Sequence, residues 1–407
     1  MTNKNKILYE LITKNVVDKN MFLLMCSNRK TAWEKLRWLE QNGYTRESSI
    51  SYAGRASSTT DYIMLTSSGF IYAANALSRI IPWIEPVSAT RKYSALGASA
   101  GDRNKIENFL RVSSAGILCD LIGGGENLQA LASESEKAKA AETDNHILLS
   151  MPDIIQTQFR HTNPDNALRF YSERDMKSEL LSVIKGKEQV FRQARLAGIY
   201  ESPQRVAAVY VALKNNPVIW YESYITKEHA MTTTFRERCL PGDSGQPFAA
   251  EAVYITPNAK TLKIAAMGKA GSINTKGFNK TAPFGQPYLN TWIIETSHEG
   301  VRDLKKIMTS DVEQERQKWI DRIQKTEPVS PNNLYYTSQF PFLDEQQSFV
   351  AVWPYLTAQN LWLAKSFLEA FPQDSVKVYC RSWHIPYIQN FLGENTETVE
   401  MSADSED

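Results

Sequence analysis

The chain is 407 residues long, 42% hydrophobic and 22% charged, with a formal net charge of +1. That length exceeds what one hydrophobic core usually serves, so two or three domains are expected, and the composition is that of a globular chain. The start, MTNKNKILYE, holds no apolar segment of the secretory kind, no run is long enough to span a bilayer, and the four cysteines and five histidines show no CxxC, HxxxH or HExxH spacing. The expectation is therefore a cytoplasmic protein with no membrane contact, disulfide scaffold, cofactor or sequence-local metal site.

Charge is unevenly spread. Residues 1–92 carry thirteen Lys or Arg against seven Asp or Glu, so the rest of the chain is acidic on balance. A basic N-terminal segment is where a DNA-binding module would sit. Two short amphipathic segments, 6–13 and 18–25, open it, the second with Asp18 as N-cap. The next stretch, KTAWEKLRWLEQNGY, repeats Ala32, Leu36 and Leu39 at helical spacing and closes on Asn42-Gly43. Arg29, Lys30, Trp33 and Arg37 point away from that apolar face. Strand-like runs follow at 44–52, which carries Arg46, and at 59–65, joined by AGRASS with Arg55 at its tip. LTSSGFIYAANAL then reads as the end of the second strand and the start of a fourth helix.

Three helices followed by a hairpin with a basic tip is the order of a winged helix. LRWLEQNGY and DYIMLTSSG, in this order and spacing, resemble the winged helix-turn-helix domains of bacterial regulators and plasmid replication proteins. The resemblance covers about a fifth of the chain. It implies contact with double-stranded DNA through Arg29, Lys30, Trp33, Arg37, Arg46 and Arg55. The basic residues off the apolar face favour DNA over a winged helix that binds protein or dimerises. Trp33 and Trp38 fit either a contact or packing against the fourth helix.

Residues 82–101 are broken by prolines and small residues, which marks a boundary. A helix is expected over 102–122 before Gly-Gly-Gly, and another over 174–196. From there the period changes to two, and two β-hairpins are expected, 206–213 with 218–226 across KNNP and 248–256 with 261–267 across PNAK. A helix over 298–325 precedes a strand–helix–strand unit whose strands are 349–352 and 376–379, expected parallel. The segment from Glu394 has six acids and no base, the composition of a disordered tail. The expected organisation is an α+β protein: a winged helix over 1–92, a helical linker region over 93–149, a larger α/β domain over 150–395, and an acidic disordered tail over 396–407. With RFYSERDMKSEL at 169–180, this arrangement resembles the replication-relaxation family of plasmids and integrative elements, which implies a nuclease-like core.

Two motifs compete with that reading. CLPGDSGQP, at 239–247, spells the serine turn of chymotrypsin-like proteases. The charged helical pattern upstream conflicts with two all-β barrels, and Gln246 stands where the family has glycine. Ser244 therefore reads as part of a turn. A metal-dependent nuclease needs an acid on one strand and Glu-x-Lys on the next. Glu222 and Glu251 fall on expected strands, yet no strand carries Glu-x-Lys, so a nuclease-like core would be degenerate. The loop 268–285 holds three lysines among glycines without a phosphate-loop signature. The sequence thus points to a non-enzymatic DNA-binding protein of a bacterial mobile element, acting in replication, transfer or their regulation, with a homo-oligomer and a replication or transfer protein as expected partners. Its rivals are a transcriptional regulator with a sensing C-terminal domain and a metal-dependent nuclease.

Overall fold

Apolar residues at i, i+1, i+4 and i+5 bury one stripe of a helix, and Ile7, Leu8, Leu11 and Ile12 do so on α1 (Asn3–Lys14). The computed structural model describes residues 3–14, 16–26, 28–51, 59–80, 86, 103–122, 168–173, 176, 196–214, 222–239, 251–267, 288–334, 336–393 and 396–401. The fold is mixed α+β with three sheets, as expected. The chain divides into two compact units, the first mainly residues 1–172 and the second mainly the remainder. None of the described helices is long and apolar enough to cross a membrane.

In the first unit α1 is followed by β1 (Val16–Asp18), α2 (Lys19–Leu24), α3 (Arg29–Gln41), β2 (Thr45–Ser51), β3 (Thr59–Leu65), α4 (Ser67–Leu77) and α5 (Arg103–Ile122). Asp18 caps α2, its carboxylate accepting from Asn20 N at 2.8 Å. β3 lies between β1 and β2 and is antiparallel to both, with Val17 opposite Ile63 and Ile50 opposite Thr60. β1 was not expected from sequence, because three residues are too few to show a period of two. Thr66 caps α4. Gly69 lets that helix approach the backbone of Tyr44, since a Cβ there would lie 1.8 Å from the Tyr44 carbonyl oxygen.

β4 (Arg169–Ser172) and β5 (Gly198–Glu201) come next in the chain, and β6 (Val206–Val211), β7 (Glu251–Thr256) and β8 (Thr291–Glu295) then lie side by side in that order in one sheet. Strands β6, β7 and β8 belong to the second unit and are parallel, with Val209 level with Val253 and Val253 with Trp292. α6 (Glu222–Cys239) and α7 (Ala259–Met267) lie between them in the chain. All six residues of β7 are buried, as a strand covered on both faces requires.

Next come α8 (His298–Thr309), α9 (Val312–Thr326), β9 (Val329–Pro331), β10 (Phe342–Asp344), β11 (Phe349–Trp353), α10 (Ala358–Ala370), β12 (Val376–Cys380), a 3₁₀ turn (Ser382–His384), α11 (Ile385–Leu392) and β13 (Thr396–Glu400). These strands form a second sheet, also laid down in chain order. β9, β10 and β11 are an antiparallel meander, and β11, β12 and β13 are parallel. The expected strand–helix–strand unit is β11–α10–β12.

Four expectations are corrected. Residues 218–226 do not form a strand over their whole length: from Glu222 the chain is helical, and Ile225, Glu228, Met231, Thr232 and Phe235 bury one helical stripe. Residues 261–267 are helical too, because Asn258 caps α7 by accepting from Thr261 N at 2.9 Å, so the expected hairpin of 248–256 with 261–267 gives way to parallel pairing of β7 with β6 and β8. The single helix expected over 298–325 is two, since Asp311 accepts from the amides of Glu313 and Gln314 and starts α9 afresh. The acidic segment begins with β13, whose Thr396 to Glu400 pair in register with Val376 to Cys380; residues 402–407 lie outside the described ones. The helix expected over 174–196 also falls almost wholly outside them.

Candidate nucleic-acid interface

Helix α3 begins where the Asn28 side chain accepts from Thr31 N at 2.8 Å and ends where Gly43, at φ 67°, takes the left-handed conformation. Ala32, Leu36 and Leu39 are buried on its inner stripe. At about 100° per residue, Arg29, Trp33, Arg37 and Lys30 fill one contiguous arc of about 100° beside that stripe. All four are exposed, as is Arg46 on β2. The cationic groups of Arg29, Lys30, Arg37 and Arg46 enter no ion pair among the described residues, so this arc carries uncompensated positive charge. Arg55 lies outside the described residues.

Both tryptophans are more than a third exposed, Trp33 at 37% and Trp38 at 39%, so neither is a core residue. The ammonium of Lys19 sits 4.7 Å from the Trp33 ring centre and pairs with Glu47 of β2. Trp38 belongs to a separate cluster. Its ring is 5.7 Å from Tyr44 and 6.0 Å from Tyr72, and those two tyrosines stack at 4.2 Å. Lys4 lies over Trp38 and Tyr72, 4.4 and 5.3 Å from their centres. Sequence reasoning missed Lys4, Lys19, Tyr44 and Tyr72, because their contacts join different elements and leave no trace in local spacing.

The acids considered for metal chemistry are placed otherwise than expected. Glu222 opens α6 rather than lying on a strand. Glu251, at the first position of β7, accepts from Arg205 through both oxygens at 3.0 and 2.9 Å, from Asn290 Nδ2 at 3.0 Å and from Trp292 Nε1 at 3.1 Å. Its oxygens are thus engaged in holding neighbouring strand ends together. No group of three or more His, Cys, Asp or Glu among the described residues is arranged to hold a metal ion. Ser244 and the loop 268–285 lie outside the described residues.

A second polar centre occupies the carboxyl ends of β11 and β12. Arg381, just past β12, donates Nε to the Pro354 carbonyl at 2.8 Å, lies 3.2 Å from Asp303 Oδ1, and pairs through Nη2 with Glu315. Tyr355 donates its hydroxyl to Glu315, and Trp383 Nε1 donates to Asp303 at 2.9 Å. His384 is fully buried with Nε2 3.5 Å from Asp303 Oδ2. Burial pushes its pKa below the usual imidazole value despite that carboxylate. The carboxyl end of parallel strands is where α/β sheets usually bind ligands, but here the charges face one another and lock the loops.

No protein-family model, curated protein or solved structure matches the chain. Its own residues carry the functional reading.

Proposed function

We propose that the chain binds double-stranded DNA through its first unit, which we read as a winged helix with α3 as the recognition helix. The carrying observation is the exposed, unpaired basic arc of Arg29, Lys30 and Arg37 at and beyond the capped start of α3. Supporting that reading are the order α1–β1–α2–α3–β2–β3 and the placement of β3 between β1 and β2, which suit a winged helix. Residues at the start of such a helix reach base edges and phosphates. The family resemblance extends the reading to a mobile-element protein acting in replication, transfer or their regulation, the larger α/β part dimerising it or recruiting a partner.

A role without DNA cleavage is favoured by one detail of the second sheet. Asp344 ends β10, as an acid should in a nuclease core. The adjoining β11 reads Phe-Val-Ala-Val-Trp and is wholly buried, with no Glu-x-Lys. Asp344 instead accepts from the amides of Gln346 and Ser348 at 2.9 and 2.8 Å, capping the turn between the strands.

The test is binding of the full-length chain to a library of duplexes at two salt concentrations. Replacing a cation that grips a phosphate should lower the salt slope by about one unit, whereas removing a bidentate Arg29–guanine pair should cost about 1–3 kcal/mol and relax sequence preference. A triple alanine variant of Arg29, Lys30 and Arg37 should bind far more weakly than wild type. If the wild-type chain binds no duplex at low salt, or the triple variant binds as wild type does, the reading fails.

A further inference from the structure

A lysine that lies free in solvent loses rotamer entropy when it grips a phosphate, whereas one already held in place loses little. A lysine held by a carboxylate has spent its charge. Lys19, Arg205, Lys365, Lys377 and Arg381 each lie over an aromatic ring, and each also pairs with a carboxylate: Glu47, Glu251, Glu369, Glu397, and Asp303 with Glu315. Lys4 is different. Its ammonium is fixed over Trp38 and Tyr72, it is exposed, and it meets no carboxylate among the described residues.

The platform under Lys4 is built by the fold. Gly69 allows the first turn of α4 to sit against the Tyr44 backbone, and Thr66 N donates to the Tyr44 carbonyl at 2.9 Å. Tyr72, one turn further along α4, is thereby laid on the Tyr44 ring with planes 8° apart. Trp38 abuts both rings from α3, one residue past Arg37. Ring faces attract the ammonium without cancelling its charge.

We propose that Lys4, positioned by the Trp38–Tyr44–Tyr72 stack, grips a backbone phosphate of the same duplex flanking the groove entered by α3. This rests on the DNA-binding reading, and it extends the interface from α3 to the amino-terminal turn of α1. Lys4 touches the phosphate; Trp38 acts through Lys4 and is a positioning residue. The partner surface is the sugar-phosphate backbone, so the contact carries no sequence preference.

The test uses the full-length chain with a carboxyl-terminal tag and a labelled mixed-sequence duplex, titrated across salt concentrations. Lys4→Gln should weaken binding about fivefold to tenfold near 0.1 M salt and lower the salt slope by about one unit. Trp38→Leu should weaken binding by a smaller factor when Lys4 is present and add nothing when Lys4 is already Gln, because its contribution passes through the ammonium. A Trp38 that merely supports the fold would weaken binding equally in both backgrounds. Thermal melts of every variant check that the unit stays folded at the assay temperature, and Trp38→Phe, which keeps a ring face, should restore most of the affinity. Wild-type affinity and slope in Lys4→Gln overturns the proposal and leaves the DNA-binding reading standing if the α3 triple variant still loses binding. Absence of any duplex binding by the wild-type chain sinks both.

Discussion

The buried charges between α1 and α5 make a prediction that can be worked from distances. Glu10 is 1% exposed, and Lys14 Nζ lies 3.1 Å from Asp120 Oδ2 and 3.9 Å from Glu10 Oε2. At an effective dielectric of about 20, those separations correspond to about 5 and about 4 kcal/mol of attraction. One ammonium thus serves two carboxyl groups and favours Asp120. A second negative charge on Glu10 would be desolvated, repelled by Asp120, and only partly offset by Lys14 and Lys6. Burial first, and Asp120 next, hold the Glu10 pKa well above its usual value. Burial alone would lower the Lys14 pKa, but the two acids raise it. Glu10 therefore keeps its proton in the fold at pH values where the unfolded chain releases it.

The sign follows from linkage. Below the ordinary value of 4.5 both states hold the proton, and the fold gains nothing and loses nothing. As pH rises past it, the unfolded chain ionises first, and the first unit loses about 1.4 kcal/mol per pH unit until folded Glu10 also ionises. Glu10→Gln supplies a neutral side chain of the same shape and should remove that slope, so the variant gains on wild type steadily above pH 4.5. Hydrogen exchange of α1 and α5 amides, followed by mass spectrometry at a series of pH values and corrected for intrinsic rates, reads the opening free energy of this region alone. Parallel pH profiles for Glu10→Gln and wild type would refute the reasoning.

How much of this was legible in sequence depends on where each signal resides. The inner face and the end of α3 were readable because an apolar stripe and a left-handed glycine are local signals, Ala32, Leu36 and Leu39 and then Gly43, whereas its cap Asn28 emerged only in the fold. The exposed basic arc followed from the same periodicity. α6 and α7 were misread because aromatic and β-branched residues such as those of 218–226 serve a buried helix as well as a strand, and burial is a tertiary property. The cap that starts α7, Asn258, had been read only as part of the hairpin connection PNAK. β13 was missed because acidic composition suggested disorder, whereas a strand at the edge of a sheet tolerates and even uses charges. Nothing local could reveal Lys4 on Trp38, Lys14 between two acids, or Arg381 between Asp303 and Glu315, since each joins residues brought together only by the fold.

Two further predictions concern the framework. Gly69→Ala drives a methyl group to within 1.8 Å of the Tyr44 carbonyl oxygen, a backbone atom that cannot step aside; the first unit should lose about 3 kcal/mol or more, read as a lowered melting temperature, and an unchanged melt would show that α4 can slide. Arg381→Met should destabilise the second unit by about 3–5 kcal/mol near neutral pH, because Asp303 and Glu315 lose the cation that faces both. The size of that loss should depend on pH through His384. In the wild type, burial first, and Arg381 with it, hold the His384 pKa below 6.5, against the pull of Asp303. An imidazole of lowered pKa withholds stability as pH falls below 6.5, because the unfolded chain takes up the proton there and the fold does not. Without Arg381 the same imidazole faces Asp303 with no competing cation, its pKa rises, and the proton it accepts replaces part of the lost charge. The Arg381→Met penalty, measured by urea unfolding of the second unit, should therefore be smaller at about pH 5.5 than at about pH 7.5. A penalty of equal size at both pH values would mean that His384 does not sense Arg381.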